Sequence, residues 1–189
     1  MKIVNILDWI ENENVREEDI RSILSDFSCS INPEVDDFIH EKAIDFAKRK
    51  TAITYLLYNE DNNLSGFFAV THKSITIQES FLNKREQKKL KQYAVLEDGK
   101  YVVSAFLVAQ LARNFQASDK HIVGGAELLR CCIEVIKKIQ HMVGGRIIIL
   151  ECEKNNLKLE EFYRQNSFHD YDSRVDKDGN EYRVFLRLL

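Results

Sequence analysis

The chain has little of what breaks, staples or anchors a fold. It has a single proline, Pro33, and no serine- and glycine-rich stretch, which excludes a flexible linker and predicts one domain over residues 1–189. No apolar run approaches the roughly 20 residues needed to cross a bilayer, so a membrane-spanning role is excluded. The N-terminus "MKIVNILDWIENENV" lacks the long apolar core and small-residue cleavage site of a signal peptide, and a cytoplasmic protein is expected. Four cysteines, Cys29, Cys131, Cys132 and Cys152, fit no zinc spacing, and the five histidines form no metal-binding pattern, so no metal is expected. Cys131 and Cys132 are adjacent in a helical stretch, where a disulfide between them would be strained. All four read as reduced structural thiols. Neither G-x-x-x-x-G-K-[ST] nor G-x-G-x-x-G occurs, and there is no internal repeat.

What is present is an ordinary globular composition, 44% hydrophobic and 30% charged, in a chain long enough to bury a core without disulfides or metal. The net charge of −3 is unevenly spread: between Asp8 and Glu41 eleven acids stand against Arg16 and Arg21, whereas "KREQKKLK" (Lys84 to Lys91) holds five basic residues and one acid. Solvated helix faces are the simplest account of such runs. As functional surfaces, the first would attract a cation and the second a phosphate.

Periodicity predicts the elements. "NPEVDDFIHEKAIDFAKRK" reads as a helix with Asn32 as N-cap, Pro33 at the first helical position and Val35, Phe38, Ile39, Ala43, Phe46 and Ala47 buried. "TAITYLLYN" and "GFFAVTHKSITIQ" read as a strand hairpin, and residues 80 to 94 as a charged helix. "YVVSAFLVAQLARN" is too apolar for an edge strand and is expected to be central. "GRIIILECE" reads as a strand covered on both faces, followed by a short helix over Leu157 to Gln165 and two closing strands around "DKDGNE". This order predicts an α/β fold with a mixed central sheet flanked by helices on both faces.

The two adjacent glycines, Gly124 and Gly125, are out of place by these rules. They open a strong amphipathic helix in which Leu128, Leu129, Cys132, Ile133, Ile136 and Ile139 share one stripe. Each glycine costs roughly 1 kcal/mol relative to alanine inside a helix. A helix N-terminus offers free N–H groups and a partial positive charge, and glycine lets an anion approach the backbone. The pair therefore either binds a phosphate or merely shapes the turn into the helix.

The stretch also reads as [basic or amide]-x-x-G-x-[G/A], with His121, Gly124 and Ala126 in the three positions. This resembles the acyl-CoA pyrophosphate loop of the GNAT family of N-acetyltransferases. Upstream, "LVAQLARN" resembles the end of that family's central strand. Downstream, "LEEFYRQNSF" resembles its A-x-x-F-Y-x-x-x-G-F signature, with Phe162, Tyr163 and Phe168 matching and Ser167 standing where glycine is usual. His121 replaces the usual arginine or glutamine. The N-terminal "FSCSINPEVDDFIHEKA", with "TYLLYN" and "GFFAV", is similar to the branch that includes toxin-type acetyltransferases.

The resemblance implies the GNAT fold and direct transfer of an acetyl group from acetyl-CoA to an amine. It implies that Leu111, Ala112, Arg113, His121, Val123, Gly124, Gly125, Ala126 and Asn156 hold acetyl-CoA. It makes Tyr163 the general acid that protonates the departing thiolate. Glu151, at the end of "RIIILE", is a candidate base with an equally simple reading as a salt-bridged carboxylate. The expected partners are acetyl-CoA and an amine of a small molecule or protein, favoured by the acidic N-terminal third. Aminoacyl-tRNA is the alternative acceptor, suggested by the toxin-type branch and served only by Lys84 to Lys91 as a basic surface. A silent acyl-CoA-binding module and a homodimer remain open.

Overall fold

The computed structural model describes residues 1–92, 94–116 and 123–189. In chain order the elements are β1 (Lys2–Asn5), α1 (Ile6–Ile10), α2 (Glu17–Leu24), α3 (Pro33–Asp37), a π-helical turn (Phe38–Lys42), α4 (Ala43–Lys48), β2 (Ile53–Tyr58) and β3 (Leu64–Gln78). Then come a 3-10 turn (Glu79–Phe81), α5 (Lys84–Leu90), β4 (Leu96–Glu97), β5 (Lys100–Arg113), α6 (Gly125–Val143), β6 (Ile147–Glu153), α7 (Leu157–Gln165), β7 (His169–Val175) and β8 (Glu181–Leu188). They form two compact units, Met1–Thr71 with Val108–Ile136, and His72–Leu107 with Lys137–Leu189. The long elements β3, β5 and α6 contribute residues to both.

In the first unit the strand order is β1-β2-β3-β5. β1 and β2 pair antiparallel with Val4 opposite Leu56, and β2 and β3 with Tyr55 opposite Phe68. The core gathers Ile6, Ile20, Leu24, Phe27, Ile39, Leu56 and Phe67, with the Phe27 ring edge-on to Phe67 at 4.9 Å. Sequence pattern indicated no element before Asn32, and β1, α1 and α2 are the addition. β1 and α1, four and five residues long, are too short to show a period, and pairing with β2 decides that Lys2–Asn5 is a strand.

Asn32 caps the next helix as expected, its side chain accepting from the Glu34 N–H at 3.1 Å with Pro33 at the first position. The π-helical turn then fits one extra residue into the helix and rotates α4 relative to α3. Ile44 is buried in consequence, while Phe46, expected inside, is 39% exposed and only edges onto Phe38 at 5.7 Å.

In the second unit the order is β3-β5-β6-β8-β7, with β4 pairing β5. β5 is thus an interior strand, as its apolar run predicted. In β6 four consecutive residues, Ile147 to Leu150, are buried, which is the mark of a strand covered on both faces. It pairs antiparallel with β8, Leu150 opposite Phe185, and the core here collects Tyr101, Val103, Ile149, Tyr171, Val184 and Leu186. All four cysteines are free and buried. No helix among the described residues is long and apolar enough to cross a membrane, and no group of three His, Cys, Asp or Glu side chains among them could hold a metal ion.

Candidate functional site

The first unit contains Leu111, Ala112, Arg113, Val123, Gly124, Gly125 and Ala126. The last three residues of β5 lead into Asn114, which is 2% exposed and has its side chain fully used. Its Nδ2 donates to the carbonyls of Asp26 at 2.7 Å and Leu64 at 2.9 Å, and its Oδ1 accepts from the Ser28 N–H at 3.0 Å. Its own N–H donates to Ser65 O at 2.9 Å. A buried amide must satisfy both its donor and acceptor ends, and Asn114 does so by tying the end of β5 to β3 and to the loop before α3. The sequence reading saw it only as the last letter of "LARN".

Gly66 explains how closely β3 approaches this strand end. A Cβ there would lie 2.8 Å from the Ala112 carbonyl oxygen and 3.4 Å from Leu128 Cδ1, so no other residue fits without moving backbone. The position of the Ala112 peptide is thereby set from below by a glycine and from beyond by Asn114. Arg113 is half-buried, its guanidinium 5.2 Å from the Phe115 ring centroid.

Gly124 is different. It is exposed, its φ lies outside the left-handed region, and a Cβ added to it would meet nothing within 4 Å among the described residues. Neither its backbone conformation nor packing against the described residues requires glycine there. It precedes the first residue of α6, and its carbonyl accepts the first helical bond from the Leu128 N–H at 3.0 Å. Having no side chain, it cannot cap the first-turn N–H groups as an aspartate or serine would. Val123 is buried and anchors the approach; Glu127, in the first turn, is engaged with Arg130 at 3.4 Å. His121 lies outside the described residues.

Glu151, Asn156 and Tyr163 lie in the second unit. Asn156 is the N-cap of α7, its side-chain oxygen accepting from the Leu159 N–H at 3.2 Å. Tyr163 is 5% exposed, its ring 5.4 Å from Phe185, 5.5 Å from Phe162 and 6.2 Å from Phe168. What places it is the end of the helix. The Phe168 N–H donates to Tyr163 O at 3.0 Å and the Ser167 N–H to Arg164 O at 3.1 Å, with Ser167 at φ 66°. This is a Schellman cap: a left-handed residue just past the helix, crossed bonds back into its last turn, and an apolar contact closing it. The spacing Tyr-x-x-x-Ser-Phe is therefore a helix-ending device, and the glycine usual at the fifth position of that spacing is the residue that adopts φ > 0 without strain.

Glu151 lies among cations. Its Oε2 accepts from Arg174 Nε at 2.6 Å, and Lys73 Nζ lies 3.9 Å from its Oε1. Its side chain is 16% exposed, with Oε2 taken by Arg174 and Oε1 facing Lys73. The pairing also holds the Arg174 guanidinium charged, above its usual range.

No protein-family model matches the chain, and no curated protein matches it. Solved structures do. AtaT complexed with acetyl-methionyl-tRNAfMet superposes with a TM-score of 0.62 at 15% identity, over 96% of this chain and 92% of AtaT. A tyrosine-to-phenylalanine variant of KacT gives 0.64 at 17% identity, over 99% of this chain and 94% of that one. AtaTR bound to acetyl-CoA gives 0.58 at 14% identity, over 99% and 92%. The chain has the fold of these GNAT acetyltransferases, a mixed α/β fold with a mostly antiparallel sheet, as its motifs predicted.

Proposed function

We propose that the chain is an acetyl-CoA-dependent N-acetyltransferase working as one catalytic domain in the cytoplasm. The observation that carries this reading is Gly124: an exposed glycine, with no described residue within 4 Å of a Cβ added there, just before the start of the 19-residue helix α6. Its fold is shared with a structure that contains acetyl-CoA. In this reading the CoA pyrophosphate accepts from the first-turn N–H groups, where the helix carries about half a positive charge. The backbone of Leu111, Ala112 and Arg113 pairs with the pantetheine arm as an added strand.

In the reaction, the free amine attacks the thioester carbonyl carbon and the tetrahedral intermediate's oxyanion is met by a backbone N–H of the same strand. The C–S bond then breaks, and the sulfur takes the Tyr163 hydroxyl proton. The amine nitrogen gives up its proton to water. Glu151 is assigned to its ion pair with Arg174, which leaves the reaction without a dedicated carboxylate base.

For the acceptor, charge alone favoured a small or protein amine. The α-amine of an aminoacyl-tRNA becomes the first to test, because AtaT is seen with acetyl-methionyl-tRNAfMet and because α5 exposes Lys84, Arg85 and Lys88 on one charged helix. The experiment is mass spectrometry of products after incubation with acetyl-CoA and, separately, methionyl-tRNA, a peptide mixture and a panel of small amines. Acetyl transfer to one of these supports the reading. Acetyl-CoA binding without transfer to any of them makes the chain an acyl-CoA-binding module.

A further inference from the structure

Beyond the reacting groups, the second unit contains a buried carboxylate that the proposed chemistry does not use. The Glu160 side chain is 3% exposed. Two arginines reach it: Arg164 Nη2 donates to its Oε2 at 3.0 Å, and Arg183 Nε faces its Oε1 at 3.1 Å without good hydrogen-bond alignment. Both arginines also hold Asp170, Arg164 Nε to Oδ2 at 3.0 Å and Arg183 Nη1 to Oδ1 at 3.2 Å. The four side chains close a ring that joins α7 to β7 and β8.

Such a ring is a poor way to gain stability, since removing charges from water offsets most of their attraction. Its geometry supplies orientation instead. Glu160 and Tyr163 are three residues apart on α7, hence on one face of the helix, and both are buried. Arg164, between the two carboxylates, lies over the Phe185 ring at 5.6 Å, and that ring is 5.4 Å from Tyr163. The clamp thus fixes the rotation of α7 through charges at 160 and 164, and the Phe185 ring it holds is the surface against which the tyrosine rests.

We infer that Glu160 is a positioning residue for Tyr163: with Arg164, Asp170 and Arg183 it locks α7 so that the phenol is presented in one orientation. This rests on the reading of Tyr163 as the general acid. A misplacement of about 1 Å in a catalytic group can cost on the order of 100-fold in rate, so a clamp on the helix is worth its buried charge.

The test compares wild type, Glu160→Gln, Tyr163→Phe and the double variant, with acetyl-CoA as donor and methionyl-tRNA as acceptor. Glu160→Gln is expected to lower kcat by roughly 10- to 100-fold and to leave KM for acetyl-CoA within about twofold, because the donor contacts are made by other residues. In the Tyr163→Phe background it is expected to cost nothing further, since its effect passes through the missing hydroxyl. A full additional loss in that background overturns the inference. If Tyr163→Phe is itself as fast as wild type, the general-acid reading falls, and the clamp is then judged by hydrogen exchange, which needs no acceptor. Exchange at the Asn166, Ser167 and Phe168 N–H groups is expected to quicken about 10-fold or more in Glu160→Gln while that of α6 is unchanged. Unchanged exchange at those three overturns the clamp. If Glu160→Gln does not fold, Asp170→Asn, on the open side of the ring, takes its place, with shifts in the same sense of no more than about 5-fold expected and none overturning the inference.

Discussion

Replacing Gly124 with aspartate separates what the protein needs from what a ligand needs. Among the described residues the new side chain meets no atom within 4 Å of its Cβ, so their packing does not resist it. It would stand as N-cap of α6, where a carboxylate accepts from first-turn N–H groups and sits favourably on the helix dipole. Cap and dipole together give about 0.5–1 kcal/mol of added stability, reduced somewhat by Glu127 in the same turn. The same carboxylate occupies the N–H groups a pyrophosphate would use and repels its charges. Two unit charges about 4 Å away cost about 2 kcal/mol even at the dielectric constant of water, or roughly 30-fold in Kd, and more where water is excluded. The expected result is therefore opposite in the two assays. Urea unfolding followed by circular dichroism should show a midpoint at or above wild type, while calorimetry with CoA should show affinity lower by at least that factor. A folded variant that binds CoA as wild type does would refute the assignment of the helix start to the pyrophosphate. A variant that is clearly less stable would refute the claim that Gly124 is free of structural constraint.

Other perturbations test other links. Tyr163→Phe keeps the ring packing against Phe162, Phe168 and Phe185, so CoA affinity and stability should stay near wild type while kcat falls by about 10²–10⁴-fold; transfer at the wild-type rate would make Tyr163 a packing residue. Ser167→Gly relieves a non-glycine residue held at φ 66° and should stabilise the fold by up to about 1 kcal/mol, offset in part by unfolded-chain entropy; a loss of stability in urea would contradict the Schellman reading of this cap. Changing Lys88, Lys89 and Lys91 together to glutamate should leave CoA binding and transfer to small amines unchanged, and weaken transfer to methionyl-tRNA strongly if RNA is the acceptor; an equal effect on both would point to damage to α5. Burial pushes the Cys152 thiol up to about 11 and the Tyr171 phenol up to about 12, from ordinary values of 9.0 and 10.0. The unfolded chain therefore loses these protons first, and stability should be level below pH 9 and fall as pH rises through the window from about 9 to 12; a urea midpoint unchanged between pH 8 and 10.5 would refute this.

Much of the fold was legible because its elements are long or sharply punctuated. Asn32-Pro33 marked a helix start, the unbroken "IIIL" marked a strand buried on both faces, and Leu157 to Gln165 was bounded on both sides by polar turns. The departures arise where a neighbour outvotes local pattern. Lys2–Asn5 is a strand because β2 offers it a ladder, and Phe46 is turned outward because a π-helical turn upstream shifts the phase of its helix. Periodicity cannot register an inserted residue within a single turn.

The candidate site divides the same way. By itself the sequence determined that two glycines open a helix after an interior strand and that a tyrosine precedes a helix-ending motif, because helix termini and turns obey rules that reach only four or five residues. Only the tertiary structure decided that a Cβ at Gly124 would meet no described residue within 4 Å while one at Gly66 would press on the Ala112 carbonyl, that Asn114 joins segments 50 and 88 residues away in sequence, and that Glu151 and Glu160 are each engaged by arginines from other elements. Those facts depend on which distant groups come within about 3 Å, a distance over which hydrogen bonds and ion pairs are made or lost. Chain-local chemistry leaves that distance unspecified, and it becomes fixed when the strands take their places in the sheet.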